Sequence, residues 1–245
     1  MGSRIFLAGA SGAIGRRLGP MLRDAGHRVA GTTRSADKAV QLRELGIEPV
    51  VVDVFDAEAL RRALAAFRAE IVVHQLTDLP RGLPPERMDE AIARNARIRD
   101  EGTRNLVAAA RDCGARRLVA QSIAWAYAPG AEPHAEGDPL DLEAAGMRAT
   151  SVRGVAALER WTLQSPPIAG TVLRYGQLYG PGTGADVPAG AMPLHVDAAA
   201  RAAVLAIERG ATGIFNIAEP NDHVSTRKAA TQLDWRADFR GGDGG

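Results

Sequence analysis

Three glycines at regular spacing are the residues of this chain best suited to chemistry with a phosphate. They stand in Gly9-Ala10-Ser11-Gly12-Ala13-Ile14-Gly15, directly after the apolar run Arg4 to Ala8 and before a helical stretch. Gly9 and Gly12 let the chain turn tightly and bring backbone N–H groups, those around Ser11, Ala13 and Ile14, against a pyrophosphate. Gly15 lets the helix pack closely on a sheet, and the helix N-terminus adds an anion site. A glycine triplet carries weight only in this strand–turn–helix context, and the context is present. The next extended run ends Thr32-Thr33-Arg34-Ser35. An acid there would bond a ribose 2′-hydroxyl; Arg34 instead offers a guanidinium fork suited to a 2′-phosphate, with Arg16 as a second partner. The expected ligand is the 2′-phosphorylated dinucleotide NADP(H).

Groups able to move protons are few. Tyrosines occur at 127, 175 and 179, the only lysines are Lys38 and Lys228, and no lysine lies four residues after a tyrosine. The histidines (27, 74, 134, 195 and 223) show no metal-ligand spacing with one another or with Cys113, and no Gly-x-Ser-x-Gly elbow exists.

These residues need a scaffold, and the pattern supplies one. Strand-like runs at 4–8, 28–32, 49–52, 71–74, 117–121, 170–174 and 214–217 alternate with helical stretches at 13–25, 36–45, 57–67, 86–113, 144–163 and 197–208. Gly26, Gly46 and Gly114 fall where helices stop, and Asp56 can cap the helix that follows it. Strands fed by helices predict a parallel sheet covered on both faces. This is a Rossmann-type doubly wound α/β fold with its ligand crevice at the carboxyl ends of the strands. We expect a single domain over 1–245. Its substrate side comes mainly from 125–150 and 175–200, 218–240 forms a C-terminal segment, and the tail Gly241 to Gly245 is expected to be disordered.

The motifs resemble those of the extended and atypical short-chain dehydrogenases/reductases along residues 4 to about 220. GASGAIG is similar to their glycine turn. Val51-Val52-Asp53-Val54 resembles the strand-three acid that contacts adenine, and Val72-Val73-His74-Gln75-Leu76 the stretch lining the cofactor, with Thr77 following. Glu101 to Leu106, Gln121-Ser122 before Ala126-Tyr127, Arg174 to Gly182 and His195-Val196-Asp197 match further family segments in order. The resemblance implies cofactor contacts at Asp53, Val54, Gln75, Leu76, Thr77, Ser122, Tyr175, Gln177 and Leu178.

The same resemblance exposes a gap. Chemistry in the family rests on a Tyr-x-x-x-Lys pair with a Ser or Thr, and alignment through Leu158-Glu159 puts Ser151 and Val155 at those two places. Ile123 stands where the catalytic hydroxyl belongs, beside Ser122. Ser122 and Tyr127 remain as catalytic candidates. Trp125, Tyr127, His134 and Tyr175 are expected to line the substrate pocket, with His134 as an alternative acid. His74 is expected to be a buried hydrogen-bonding residue. Arg99, where that helix often carries an asparagine, could orient substrate or water.

Three functions are weighed. The favoured one is an NADPH-dependent ketoreductase, its proton coming from water or from a phenol on the substrate. It resembles atypical members of aromatic polyketide (antibiotic) pathways that reduce angucyclinone-type ketones without the tyrosine. A sugar-nucleotide epimerase or dehydratase would want the Tyr/Lys pair and a larger C-terminal lobe, whereas only Thr183 to Leu194 separate Gly182 from His195. A catalytically silent NADP(H) sensor similar to NmrA-like proteins is the third.

Composition bounds the rest. The chain has 46% hydrophobic and 24% charged residues, ordinary for a globular protein. A net charge of +1 gives no field for nucleic acid or an anionic membrane. The single cysteine excludes an intramolecular disulfide, and no apolar run is long enough for a signal sequence or a membrane span. A cytoplasmic monomer or homodimer acting on a small molecule is expected.

Overall fold

Residues 2–80 and 84–241 are described in the computed structural model. The strands are β1 (Arg4–Ala8), β2 (Arg28–Thr33), β3 (Glu48–Val51), β4 (Ile71–His74), β5 (Arg117–Ile123), β6 (Ala169–Tyr175), β7 (Gln177–Tyr179), β8 (Pro193–His195) and β9 (Gly213–Ile217). Seven of them form one sheet in the order β3-β2-β1-β4-β5-β6-β9, every neighbouring pair parallel. All strand carboxyl ends therefore meet on one edge, where ligands of such sheets collect.

The helices are α1 (Gly15–Asp24), α2 (Ala36–Glu44), α3 (Ala57–Phe67), α4 (Met88–Arg97), α5 (Thr103–Asp112), α6 (Gly146–Leu163), α7 (Val196–Glu208) and α8 (Arg227–Leu233). Side-chain alternation sends Ile5, Leu7, Val73, Val119 and Leu173 to one face of the sheet, where they pack with Leu18 and Leu22 of α1 and the alanine-rich α7. Phe6, Ala8, Val72 and Leu118 face the other way, against Leu60 and Leu64 of α3 and Leu106 of α5. Burial on both faces is why these strands read as unbroken apolar runs rather than alternating ones. Asp56 caps α3 as expected, accepting from the Ala59 N–H at 2.9 Å.

Three details depart from the sequence reading. The single helix expected over 86–113 is divided into α4 and α5 by a π-helical turn at Ile98–Gly102. Gly102 sits tightly here, since a Cβ would come 3.2 Å from a Val54 methyl. Such turns insert one residue and recur at functional sites. The small parallel pair β7–β8 and the seven-residue α8 were not foreseen. Segments of three to seven residues give too little periodicity to register. The expected disorder of the tail concerns residues of which 242–245 lie outside the described ones. Among the described residues, no helix is long and apolar enough to cross a membrane.

Candidate active site

The glycine turn lies where β1 hands the chain to α1. Gly9 has φ +88, and a Cβ on it would stand 2.6 Å from the Gln75 carbonyl oxygen; a Cβ on Gly15 would stand 2.3 Å from the Gly9 oxygen. Both are required by the fold itself. Gly12 differs: a Cβ there would meet only the Gly9 oxygen at 3.4 Å. The turn is braced by the end of β2, for the Gly9 N–H donates to Thr32 Oγ1 at 3.0 Å and Ser11 Oγ lies 3.4 Å from Thr33 Oγ1. The N–H groups of Ser11, Ala13 and Ile14 find no acceptor among the described residues. Donors converging without partners at a helix start make an anion cradle. Beneath it, Gln75 is buried with both amide atoms unpartnered. The amide lies beside the buried Tyr175 hydroxyl, so a neighbour able to meet part of its demand is already at hand. The cradle fits a dinucleotide.

Around the cradle the sequence candidates fall in different settings. Arg34 is exposed at the end of β2, and its guanidinium reaches Asp78 at 3.2 Å; Asp78 also meets Arg94 at 3.2 Å. Arg16 is exposed and in no ion pair among the described residues. Asp53 is exposed with one carboxylate oxygen accepting from the Phe55 N–H at 2.9 Å, while Val54 is buried. Leu76 is partly buried and Thr77 exposed; the Leu76 N–H donates to His74 Nδ1 at 3.2 Å. His74 therefore carries its proton on Nε2 and donates it to Thr103 Oγ1 at 3.1 Å. Burial, with Arg99 nearby, holds its pKa down to about 4, so it is a neutral structural histidine as expected.

Four further candidates sit in buried, hydrogen-bonded settings that the sequence did not show. Ser122 is buried and donates to Glu159 Oε1 at 3.0 Å. Arg174 grips the same carboxylate in bidentate fashion, at 2.8 and 2.6 Å. Tyr127 is buried; its hydroxyl donates to Asn216 Oδ1 at 2.7 Å, and its ring is sandwiched between Arg174 at 4.7 Å and His134 at 4.9 Å. Burial pushes its phenol above the usual range. His134 is held in that stack and meets Asp138 at 3.1 Å, so it is not a free acid bordering an open pocket. Alternation along β6 turns Tyr175 to the α7 face, where its hydroxyl donates to the Ala199 carbonyl at 3.0 Å. Burial pushes this phenol strongly upward. Gln177 likewise is committed, accepting from the Met192 N–H at 2.9 Å, and Leu178 packs against the core.

A cavity of about 260 Å³ lies at the end of β5, lined by Ile92, Ile123, Trp125, Ala126, Met147, Arg148, Ser151 and Val152; a larger, more polar one of about 380 Å³ lies away from the strand ends, between α6 and the π-helical turn, at Ala96, Arg97, Asp100 and Arg153. For the cavity at β5, Trp125 was foreseen; Ile92, Met147 and Arg148 were not. One wall continues into a small apolar cluster of Ile123, Ala126, Val152 and Val155. Ser151 and Ile123 stand at the places where the resemblance puts the catalytic tyrosine and hydroxyl, and Val155 at the place of the lysine. Arg99 reaches the cavity's edge through Ser151, its guanidinium donating to Oγ at 3.4 Å. Among the described residues no cluster of potential metal ligands exists.

A family model described as the NAD dependent epimerase/dehydratase family matches residues 5–213. The 3-diazoavenalumate denitrifying reductase of a Streptomyces species is 46% identical over 240 residues, spanning 88% of this chain and 76% of that protein. Among solved structures, UDP-glucose 4-epimerase of Thermotoga maritima, determined with UDP-glucose, has a TM-score of 0.76 at 18% identity, covering 97% of this chain and 94% of that one. WbmG of Bordetella bronchiseptica, in complex with NAD, gives 0.72 at 20% identity, covering 98% and 90%. At such identities the two structures speak for the fold alone.

Proposed function

The chain belongs to the NAD dependent epimerase/dehydratase family, and from that premise we propose that it is a reductase using NADPH on a planar aromatic acceptor that takes no proton from the protein. The observation that carries this reading is the state of the hydroxyls near the strand ends. Tyr127 and Ser122 are committed to Asn216 and Glu159, and the tyrosine place is taken by Ser151 in an otherwise mainly apolar cavity. An oxidoreductase role accords with the 46% identical reductase.

The turn amides of Ser11, Ala13 and Ile14 would hold the pyrophosphate, Gln75 would face the nicotinamide half, and Arg34 with Arg16 would meet the 2′-phosphate. When bound, the reduced nicotinamide supplies a hydride. Ile123, Trp125 and Met147 would hold an aromatic ring flat in the cavity and keep water from it, so that orientation provides several kcal/mol of the barrier. A carbonyl reduced there becomes an alkoxide and must find a proton. An aryl diazonium reduced at the carbon that bears nitrogen releases dinitrogen and needs none. The relative's name speaks for the diazo acceptor. A ketone with its own phenol beside the carbonyl is the second reading, favoured by Ser151, whose hydroxyl lines the cavity. A silent sensor is disfavoured by the reductase relative, and an epimerase by the missing Tyr/Lys pair.

The test is turnover of 3-diazoavenalumate and of a phenolic aromatic ketone with NADPH carrying deuterium at the transferable position. Deuterium on the ring carbon that lost nitrogen is expected; no NADPH consumption with either compound would refute the reading. Tyr127→Phe is expected to keep the rate within about tenfold, roughly 1.4 kcal/mol. A far larger loss would make Tyr127 the acid. For the cofactor, Arg34→Asp should weaken NADPH binding more than NADH binding in fluorescence titrations; equal weakening would remove Arg34 from the 2′-phosphate.

A further inference from the structure

We propose that Arg99, with Ser151, captures the carboxylate of the substrate, so that the pocket at the end of β5 selects aromatic acids over neutral aromatics. The proposal deepens the reductase reading and rests on it for the identity of the pocket.

One guanidinium, that of Arg148, lines the cavity and a second, that of Arg99, stands behind Ser151; they differ in what they already hold. Arg148 is committed: it donates to Asp141 Oδ2 at 2.6 Å and to the carbonyl oxygens of Trp125 and Tyr127 at 3.1 and 2.9 Å. Its charge is matched and its donors tie the β5 loop to α6. Arg99 is partly buried, yet among the described residues its one hydrogen bond is the long contact to the neutral Ser151 hydroxyl, and it forms no ion pair. The nearby acid, Glu159, favours the charged guanidinium through space, but its oxygens are taken by Arg174 and Ser122, so it makes no ion pair with Arg99. Its other titratable neighbour, His74, is neutral. Burial pulls the Arg99 guanidinium down to about 10.

A guanidinium removed from water without a counter-ion is costly to keep. The cost is offset when an anion arrives, and a carboxylate matches the planar fork in two parallel hydrogen bonds. Ser151 both lines the cavity and touches Arg99, so an anion at that end lies within reach of both groups. The rest of the wall, Ile123, Trp125 and Met147, suits an aromatic ring with a conjugated chain. An acid of that shape is oriented with its carboxylate at the Arg99–Ser151 contact, between the π-helical turn and α6, and its ring toward the end of β5. The relative's substrate is, by its name, a diazo-substituted carboxylate.

Calorimetric titration of the full chain, with NADP⁺ present, by 4-hydroxycinnamate and by its methyl ester tests the assignment. The acid is expected to bind at least tenfold more tightly than the ester. Arg99→Gln should erase that preference, Arg99→Lys should retain part of it, and Ser151→Ala should weaken the acid several-fold. Affinities for the ester and for NADP⁺ should stay unchanged in all three. Equal binding of acid and ester by the unaltered protein, no binding of either, or a preference that survives Arg99→Gln would each overturn the proposal. Because binding is read without turnover, failure here is distinguishable from failure of the hydride-transfer reading, which is judged by NADPH consumption.

Discussion

Glu159→Gln is expected to destabilise the protein by about 3–5 kcal/mol, the cost of leaving a buried guanidinium without its counter-charge. Glu159 and Arg174 are both almost fully buried, with side chains 6% and 3% exposed, so neither can turn to solvent when its partner is lost. Arg174 would then sit over the Tyr127 ring with its charge uncompensated, and Ser122 would lose a charged acceptor. For a domain of this size the thermal midpoint should fall on the order of 10 °C. The double variant Glu159→Leu, Arg174→Met should recover most of that, since well-packed apolar groups replace buried pairs at little cost. A Glu159→Gln protein that melts within a degree or two of the parent would show that the carboxylate is not holding the β5–β6–α6 junction together.

Gly12→Ala should separate binding from folding. A methyl group there touches only the Gly9 oxygen, at ordinary contact distance, and Gly12 is exposed with no positive φ. Stability should change by no more than about 0.5 kcal/mol, as for other surface substitutions. The methyl group would nevertheless occupy the space above the free amides, and NADPH affinity should drop at least tenfold, about 1.4 kcal/mol or more. Gly9→Ala, by contrast, brings a Cβ onto the Gln75 backbone at a φ unsuited to alanine, and should impair folding first. Thermal unfolding beside NADPH titration checks both. Unaltered binding in Gly12→Ala would place the pyrophosphate somewhere other than this turn.

The turn and the sheet were legible in the sequence because their causes are local. Gly9 is needed for its own φ, Asp56 for a cap three residues on, and the strands for runs of apolar residues. The fate of the candidate hydroxyls was not legible, because it depends on groups brought from afar. Ser122 is held by a residue 37 positions away, Tyr127 by one 89 away and Tyr175 by one 24 away. Arg34 meets Asp78, 44 positions on. Parity along β6 could have warned that Tyr175 turns away from Arg174, since alternate residues of a strand face opposite sides. The Ser151–Arg99 contact had a weaker signal: both residues were noted at informative positions, but nothing in the chain showed that they meet.

The apolar cluster behind the cavity limits what chemistry can be built into it. Val155 is fully buried with Ile123, Ala126 and Val152, so a lysine placed there would thrust an ammonium among methyl groups, its nearest acid one turn on, Glu159, being already engaged by Arg174 and Ser122, and burial would favour its neutral form. Under the proposed reading, a change of acceptor would therefore be sought by reshaping the cavity wall rather than by placing a lysine at 155.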